Sequence, residues 1–156
     1  MAGCSVVALA AIVTVIVAGM LLGVAAYFLY AYIFESLFCA WQCREHWDQH
    51  PALGWIPLWN QYLLGRAAGL KSMGVALALD QLAVVLLACL AFTGVEPALG
   101  WCVIFAALGM VIKAMIACPL YQRACPEAWR KYNWGSILTL GALRPLFLFL
   151  LRKRLT

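Results

Sequence analysis

The sequence predicts an all-α integral membrane bundle, and three observations predict it. Of the 156 residues, 67% are hydrophobic, only 11% are charged, and the first charge along the chain is Glu35. Soluble domains carry about 45–50% apolar and about 25% charged residues. A sphere of 17.2 kDa cannot hide such an excess from water even if it buries roughly 70% of its chain surface. The missing solvent is lipid, and disordered, collagenous and disulfide-scaffold classes are excluded by the same composition. At about one domain per 100–200 residues, residues 1–156 are expected to form a single membrane domain, with no internal repeat or linker.

Residues 6–34 are nearly all apolar, longer than the roughly 20 residues that cross about 30 Å of hydrocarbon. The stretch is too long for a secretory h-region and has no basic residues ahead of it, so it is expected to stay as the first span. Cys4, in Ala2-Gly3-Cys4, has no apolar stretch before it, and lipidation is not expected there. Residues 72–95, holding Asp80, and 97–121, holding Lys113, form the second and third spans, joined in a tight hairpin at Glu96-Pro97. Residues 134–151 have the minimum length but contain Arg144-Pro145. An arginine there costs about 2.5–3.5 kcal/mol and proline removes a helix hydrogen bond. A re-entrant or surface helical hairpin, broken near Gly141 and Arg144-Pro145, is expected instead of a fourth crossing.

Basic residues beside spans stay on the cytoplasmic side. With the N-terminus outside and three crossings, Arg44, Arg66, Lys71, Arg123, Arg130, Lys131, Arg144, Arg152, Lys153 and Arg154 all fall inside, ten of the 11. The eleventh is Lys113. The expected location is therefore a cell inner membrane, with the C-terminus cytoplasmic. Between the first two spans, residues 39–70 are rich in Trp and Tyr, which favour the headgroup layer. The first helix is expected to run on to His50 and stop at Pro51, because a residue before proline leaves the helical region. Pro57 suits the first turn of a second, interfacial helix, which places Trp59, Tyr62 and Arg66 on one face. Trp55 and Asn60 complete the expected interfacial set.

Two groups of residues have chemical potential. Measured from a turn at Glu96-Pro97, Asp80 and Lys113 lie at nearly one depth, at about 1.5 Å per residue. Intramembrane ionisable residues face the bundle interior, pair, or mark a pathway, so the two are expected to form a buried pair that registers the hairpin or to serve as pathway charges. Snorkelling of Lys113 to the inner surface is the alternative. Cys39, Cys43, His46 and His50 share one helix face and are of metal-ligand type. Their stripe spans about 16 Å, so one straight helix offers at most two half-sites, and packing cysteines with surface histidines is the plainer reading.

The 7 cysteines are scattered; a Cys89–Cys102 bridge is geometrically open, but free thiols are expected. No nucleophile elbow, phosphate-binding glycine loop or H-E-x-x-H pair is present, so no enzymatic activity and no cofactor is expected. The net charge of +5 sits beside the spans, which points to anionic lipid headgroups and not to nucleic acid. Arg123, Arg130 and Lys131, with Trp129, Tyr132 and Trp134, read as an interfacial anchor. Gly19 and Gly23 have the G-x-x-x-G spacing that lets helices approach closely.

The segment Gly54-Trp55-Ile56-Pro57-Leu58-Trp59-Asn60-Gln61-Tyr62-Leu63-Leu64-Gly65-Arg66-Ala67-Ala68-Gly69 resembles the G-W-x-x-x-I-P-x-Y-N-x-Y-x-L-x-x-x-A-G segment of a group of small bacterial multi-pass membrane proteins of uncharacterised function. Trp59 replaces the usual Tyr or Phe, and the stretch before Ile56 is shorter. A weaker echo lies in Ser136-Ile137-Leu138-Thr139-Leu140-Gly141. The resemblance covers roughly 20 residues and implies a bacterial inner-membrane protein, with no substrate or catalytic residue attached.

Three functions follow as expectations. The first is an accessory or scaffold subunit that presents residues 40–70 and 123–156 to lipid and to a membrane-protein partner. The second is an oligomeric channel or small transporter that uses Asp80 and Lys113. The third is a metal or thiol sensor built on Cys39, Cys43, His46 and His50.

Overall fold

In the computed structural model, residues 2–47, 49–139 and 141–155 are described, with side chains from Ala11 onward except those of Leu21 and Glu96. Cys4, considered above for lipidation, has its side chain outside that set. Six α-helices account for most of the chain: α1 (Ala2–His46), α2 (Pro57–Ala67), α3 (Lys71–Phe92), α4 (Glu96–Ala124), α5 (Trp129–Leu138) and α6 (Arg144–Leu151), with 3-10 turns at Pro51–Trp55 and Arg152–Arg154. No strand occurs among the described residues. Three helices, α1, α3 and α4, are long and apolar enough to cross a membrane.

The first helix ends at His46 and not at His50. The amide of Gln49 turns back onto the Cys43 carbonyl at 3.0 Å, and His50 is already extended ahead of Pro51, as a residue before proline should be. The 3-10 turn then folds onto α1. A Cβ at Gly54 would stand 2.8 Å from the Ala40 Cα, so only glycine permits this approach. Pro57 opens α2 as expected, behind an extended Ile56.

Helix α2 packs on the bundle through Leu63, Leu64 and Gly65, all buried. It crosses α3 where Gly65 meets Gly74, and a Cβ on Gly74 would lie 2.7 Å from the Tyr62 carbonyl oxygen. The α2–α3 and α3–α4 connections both use a glycine in the left-handed region, Gly69 at φ +78° and Gly94 at φ +88°. In the first, Leu70 N–H reaches back to Gly65 at 2.8 Å and Gly69 N–H to Arg66 at 3.0 Å, the paired bonds that terminate a helix at a left-handed residue. The hairpin therefore turns at Thr93–Val95, slightly before the expected Glu96-Pro97.

Helices α5 and α6 form a hairpin on α1 and α4. It begins beside Cys125 and returns there, with the Arg154 guanidinium 3.2 Å from the Cys125 thiol. In between, Tyr121 and Ser136 share a hydroxyl–hydroxyl bond of 2.9 Å, and the apex at Gly141 approaches Tyr27 of α1. With 10 and 8 residues, its arms reach only about 15 and 12 Å at 1.5 Å per residue. The chain enters and leaves at one end of the bundle.

The core is gathered at that same end. Phe38, Cys39, Leu63, Leu64, Ile116, Leu120, Tyr121 and Leu148 form one buried cluster, whereas Val15, Leu22, Leu79, Leu99, Val103 and Phe92 are exposed.

Candidate functional site

The apolar run of α1 ends at Glu35, just past the first span that the sequence predicts. The helix nevertheless continues and Glu35 is 1% exposed. Lys113 of α4 donates to its Oε2 at 3.0 Å, and Arg144, the first residue of α6, donates to its Oε1 at 2.7 Å. The side chains of Glu35, Lys113 and Arg144 are 2%, 19% and 5% exposed. A carboxylate held by two cations in low dielectric satisfies both of its oxygens, the condition for tolerating buried charge. Arg144 ends up here because Gly141 adopts φ +83° at the hairpin apex and Pro145 follows in the first turn of α6, where proline is accepted.

The expected Asp80–Lys113 pair does not form. Both side chains line one cavity, but Lys113 is taken by Glu35. The physical reason is register. Because the hairpin turns around Gly94 and not at Glu96-Pro97, equal depth on α4 falls near Gly109, one helical turn short of Lys113. Accordingly the Asp80 Oδ2 packs so close to Gly109 that a Cβ there would clash with it. Asp80 is 8% exposed and its Oδ1 has no hydrogen-bond partner. Glycine at 109 is what admits the carboxylate between α3 and α4.

The cavity holds about 240 Å³ and lies between α1, α3 and α4, with Gln61 of α2 and Arg144 of α6 at its inner end. Its polar lining comprises Tyr27, Tyr32, Glu35, Gln61, Asp80, Gln81, Lys113 and Arg144, and its apolar walls include Phe28, Leu77, Val84, Val85, Ala106 and Met110. Phe28 and Val85 are exposed on the outside of the bundle, so the walls run out onto the apolar surface. Concave, mostly apolar sites with a few placed polar groups are the usual form of a small-molecule pocket.

The interfacial set divides. Trp55 and Trp59 are each 42% exposed and Pro57 is exposed. Tyr62 packs against Trp59 at 5.2 Å between ring centroids. Arg66 is half-buried: its guanidinium lies over Trp47 at 4.4 Å and donates to Gln49 at 3.4 Å. Asn60 is not interfacial: at 0% exposure it donates to Ser36 at 3.0 Å and accepts from the Cys39 thiol at 3.1 Å, docking α2 on α1. Asn60 lies three and four residues before Leu63 and Leu64 and so shares their buried helix face, but pattern alone does not reveal which face meets protein.

The metal stripe is also dissolved. Cys39 and Cys43 are buried, His46 and His50 are exposed, and the helix stops at His46, so the four face different surroundings. His46 packs against Trp41 at 5.2 Å. Among the described residues no three His, Cys, Asp or Glu side chains form a metal-holding group. Cys89 and Cys102 are free thiols. Gly19 and Gly23 have open space around them, Trp134 is exposed, and Arg130 stacks on Trp129 at 5.7 Å.

Glu35, Gln61 and Arg144 are the site residues that spacing did not single out. Glu35 stands eleven residues before the end of α1 and Lys113 eleven before the end of α4, so the two share a depth, but that match depends on α1 ending at His46 and not at the His50 that the sequence predicts. Comparison with known proteins found no matching family model, no matching curated protein and no matching solved structure.

Proposed function

We propose that this chain is a multi-pass inner-membrane protein that binds a small polar solute in the cavity between α1, α3 and α4 and moves it through the bilayer. The observation that carries this reading is Asp80: a residue more than nine-tenths removed from solvent, with one carboxyl oxygen unpartnered, lining a cavity beside an ion cluster. An ionisable side chain costs about 2.5–3.5 kcal/mol at the centre of a span, and a purely structural one would be paired, as Glu35 is. The N-terminus is outside and the C-terminus cytoplasmic. In support, Arg44, Arg66, Lys71, Arg123, Arg130, Lys131, Arg152, Lys153 and Arg154 lie toward the end of the bundle where α1, α4 and the α5–α6 hairpin finish, while Lys113 and Arg144 lie within. The hairpin is then re-entrant from the cytoplasmic side, its broken backbone shielded by α1 and α4, as irregular backbone at membrane depth requires. The likeness of residues 54–69 to small bacterial multi-pass proteins supports the same placement.

The test is uptake into proteoliposomes of a panel of labelled amines, carboxylates, amino acids and sugars. At least one solute should accumulate, Asp80→Asn and Gly109→Leu should reduce its rate about tenfold or more, and Arg130→Ala, on the exposed surface, should not. Uptake equal to that of protein-free liposomes for every solute, or uptake indifferent to Gly109→Leu, would sink the reading.

A second reading, an accessory subunit that docks on a membrane partner, is favoured by one observation: residues 11–20 and 22–26 of α1 are exposed on every side. Purification as a monomer only alongside another membrane protein, with no uptake, would favour it.

A further inference from the structure

Among the described residues, three buried side-chain atoms lack a hydrogen-bond partner: Gln61 Oε1, Asp80 Oδ1 and Arg144 Nε. They come from three different helices, α2, α3 and α6, yet all three residues line the one cavity. Gln61, Asp80 and Arg144 are 3%, 8% and 4% exposed. Leaving a buried polar atom unpaired is costly, so such atoms are few in folded proteins and their clustering at one cavity points to a missing partner. Two of the three are acceptors and one is a donor. The ligand must therefore supply hydrogen-bond donors at one part and an acceptor at another.

Charge narrows the class. With Asp80 ionised, Glu35 and Asp80 balance Lys113 and Arg144, so the site is neutral as a whole, and a ligand with net charge would leave an uncompensated charge in low dielectric. The walls are apolar at Phe28, Leu77, Val84 and Met110. A volume of about 240 Å³ lies below the roughly 300–1,000 Å³ typical of drug-sized ligands. Resting on the solute-pocket reading above, we infer that the cavity takes a zwitterion: an ammonium group donating to Asp80 and Gln61, an anionic oxygen accepting from Arg144, and an apolar remainder against the walls. A free α-amino acid with an apolar side chain carries these groups, and so does an aminophospholipid headgroup entering between the helices from the lipid side.

The experiment uses the full chain in phosphatidylcholine nanodiscs, whose trimethylammonium headgroup has no N–H to donate. Binding of labelled leucine is compared with that of 3-methylbutylamine, which lacks the carboxylate, and of 4-methylpentanoate, which lacks the ammonium. A parallel arm adds a minor fraction of phosphatidylethanolamine and reads its retention by native mass spectrometry. The expected result is that leucine binds saturably, or phosphatidylethanolamine is retained, the two results assigning the free and the lipid source. Each truncated analogue should bind about tenfold to a hundredfold more weakly, the loss expected for one charge-assisted hydrogen bond. Asp80→Asn and Gln61→Leu should each weaken the zwitterion by about tenfold or more, without lowering the melting temperature of the empty protein. An analogue binding as tightly as leucine overturns the zwitterion assignment. So does failure of both leucine and phosphatidylethanolamine to bind. In either case, solute uptake that still depends on Gly109 leaves the solute-pocket reading standing, and its absence removes both.

Discussion

The two ends of the bundle are built on opposite principles. At the end formed by the second half of α1, α2 and the α5–α6 hairpin, the core side chains are buried to a few per cent or less and polar groups away from the cavity are matched: Asn60 with Ser36 and Cys39, Tyr121 with Ser136, and the Glu35 carboxylate with Lys113 and Arg144. At the other end, residues 11–20 and 22–26 of α1 and the turns of α3 and α4 nearest Gly94 present Val15, Leu22, Leu90, Phe92 and Val103 outward. The exposed end has the composition of a core and the accessibility of a surface, which is stable only when the solvent is itself apolar. The packed end resembles the interior of a water-soluble protein. Lipid supplies no hydrophobic drive for helix association, so close packing concentrates where polar groups and short connections demand it. The cavity between α1, α3 and α4 lies where these two regimes meet.

Substitutions should separate the two ends. The largest effect is expected at Glu35: Glu35→Gln removes the one carboxylate between two cations, and an unbalanced buried charge costs about 3–5 kcal/mol. Unfolding in detergent titrated with denaturing surfactant should show it, and a loss below about 1 kcal/mol would mean that the cluster is hydrated and the packed end is wetter than described. A smaller loss is expected from Gly74→Val, which drives a side chain into Tyr62 and Gly65 of α2; overpacking of this kind costs about 1–3 kcal/mol, read from the same assay. The smallest belongs to Gly19→Leu at the exposed end, where nothing lies near the glycine and the monomer should change by no more than about 0.5 kcal/mol. A large loss there would show that α1 is covered by another helix and would move the comparison toward the accessory-subunit reading.

Much of the fold was legible because membrane insertion is governed by local composition. The three spans, the start of α2 at Pro57 and the broken helix pair around Gly141 follow from apolar run length and from proline and glycine chemistry, each confined to a few neighbouring residues. The candidate site was legible only in part. Asp80 and Lys113 stand out as charges in apolar runs, but their partners depend on register: moving the turn from Glu96-Pro97 to Gly94 slides α4 past α3 by more than one helical turn. Arg144 was visible as an obstacle to crossing and not as a ligand for Glu35, because the two are 109 positions apart and meet only when the hairpin folds back.

By itself the sequence determined the solvent, the number of long apolar helices and the places where the backbone must turn, since these depend on the free energy of transferring short segments and on local backbone sterics. Only the tertiary structure decided which charges pair and which is left over. Pairing depends on helix rotation and register across α1, α3, α4 and α6, and a shift of little more than a turn leaves Lys113 with Glu35 and Asp80 unpartnered.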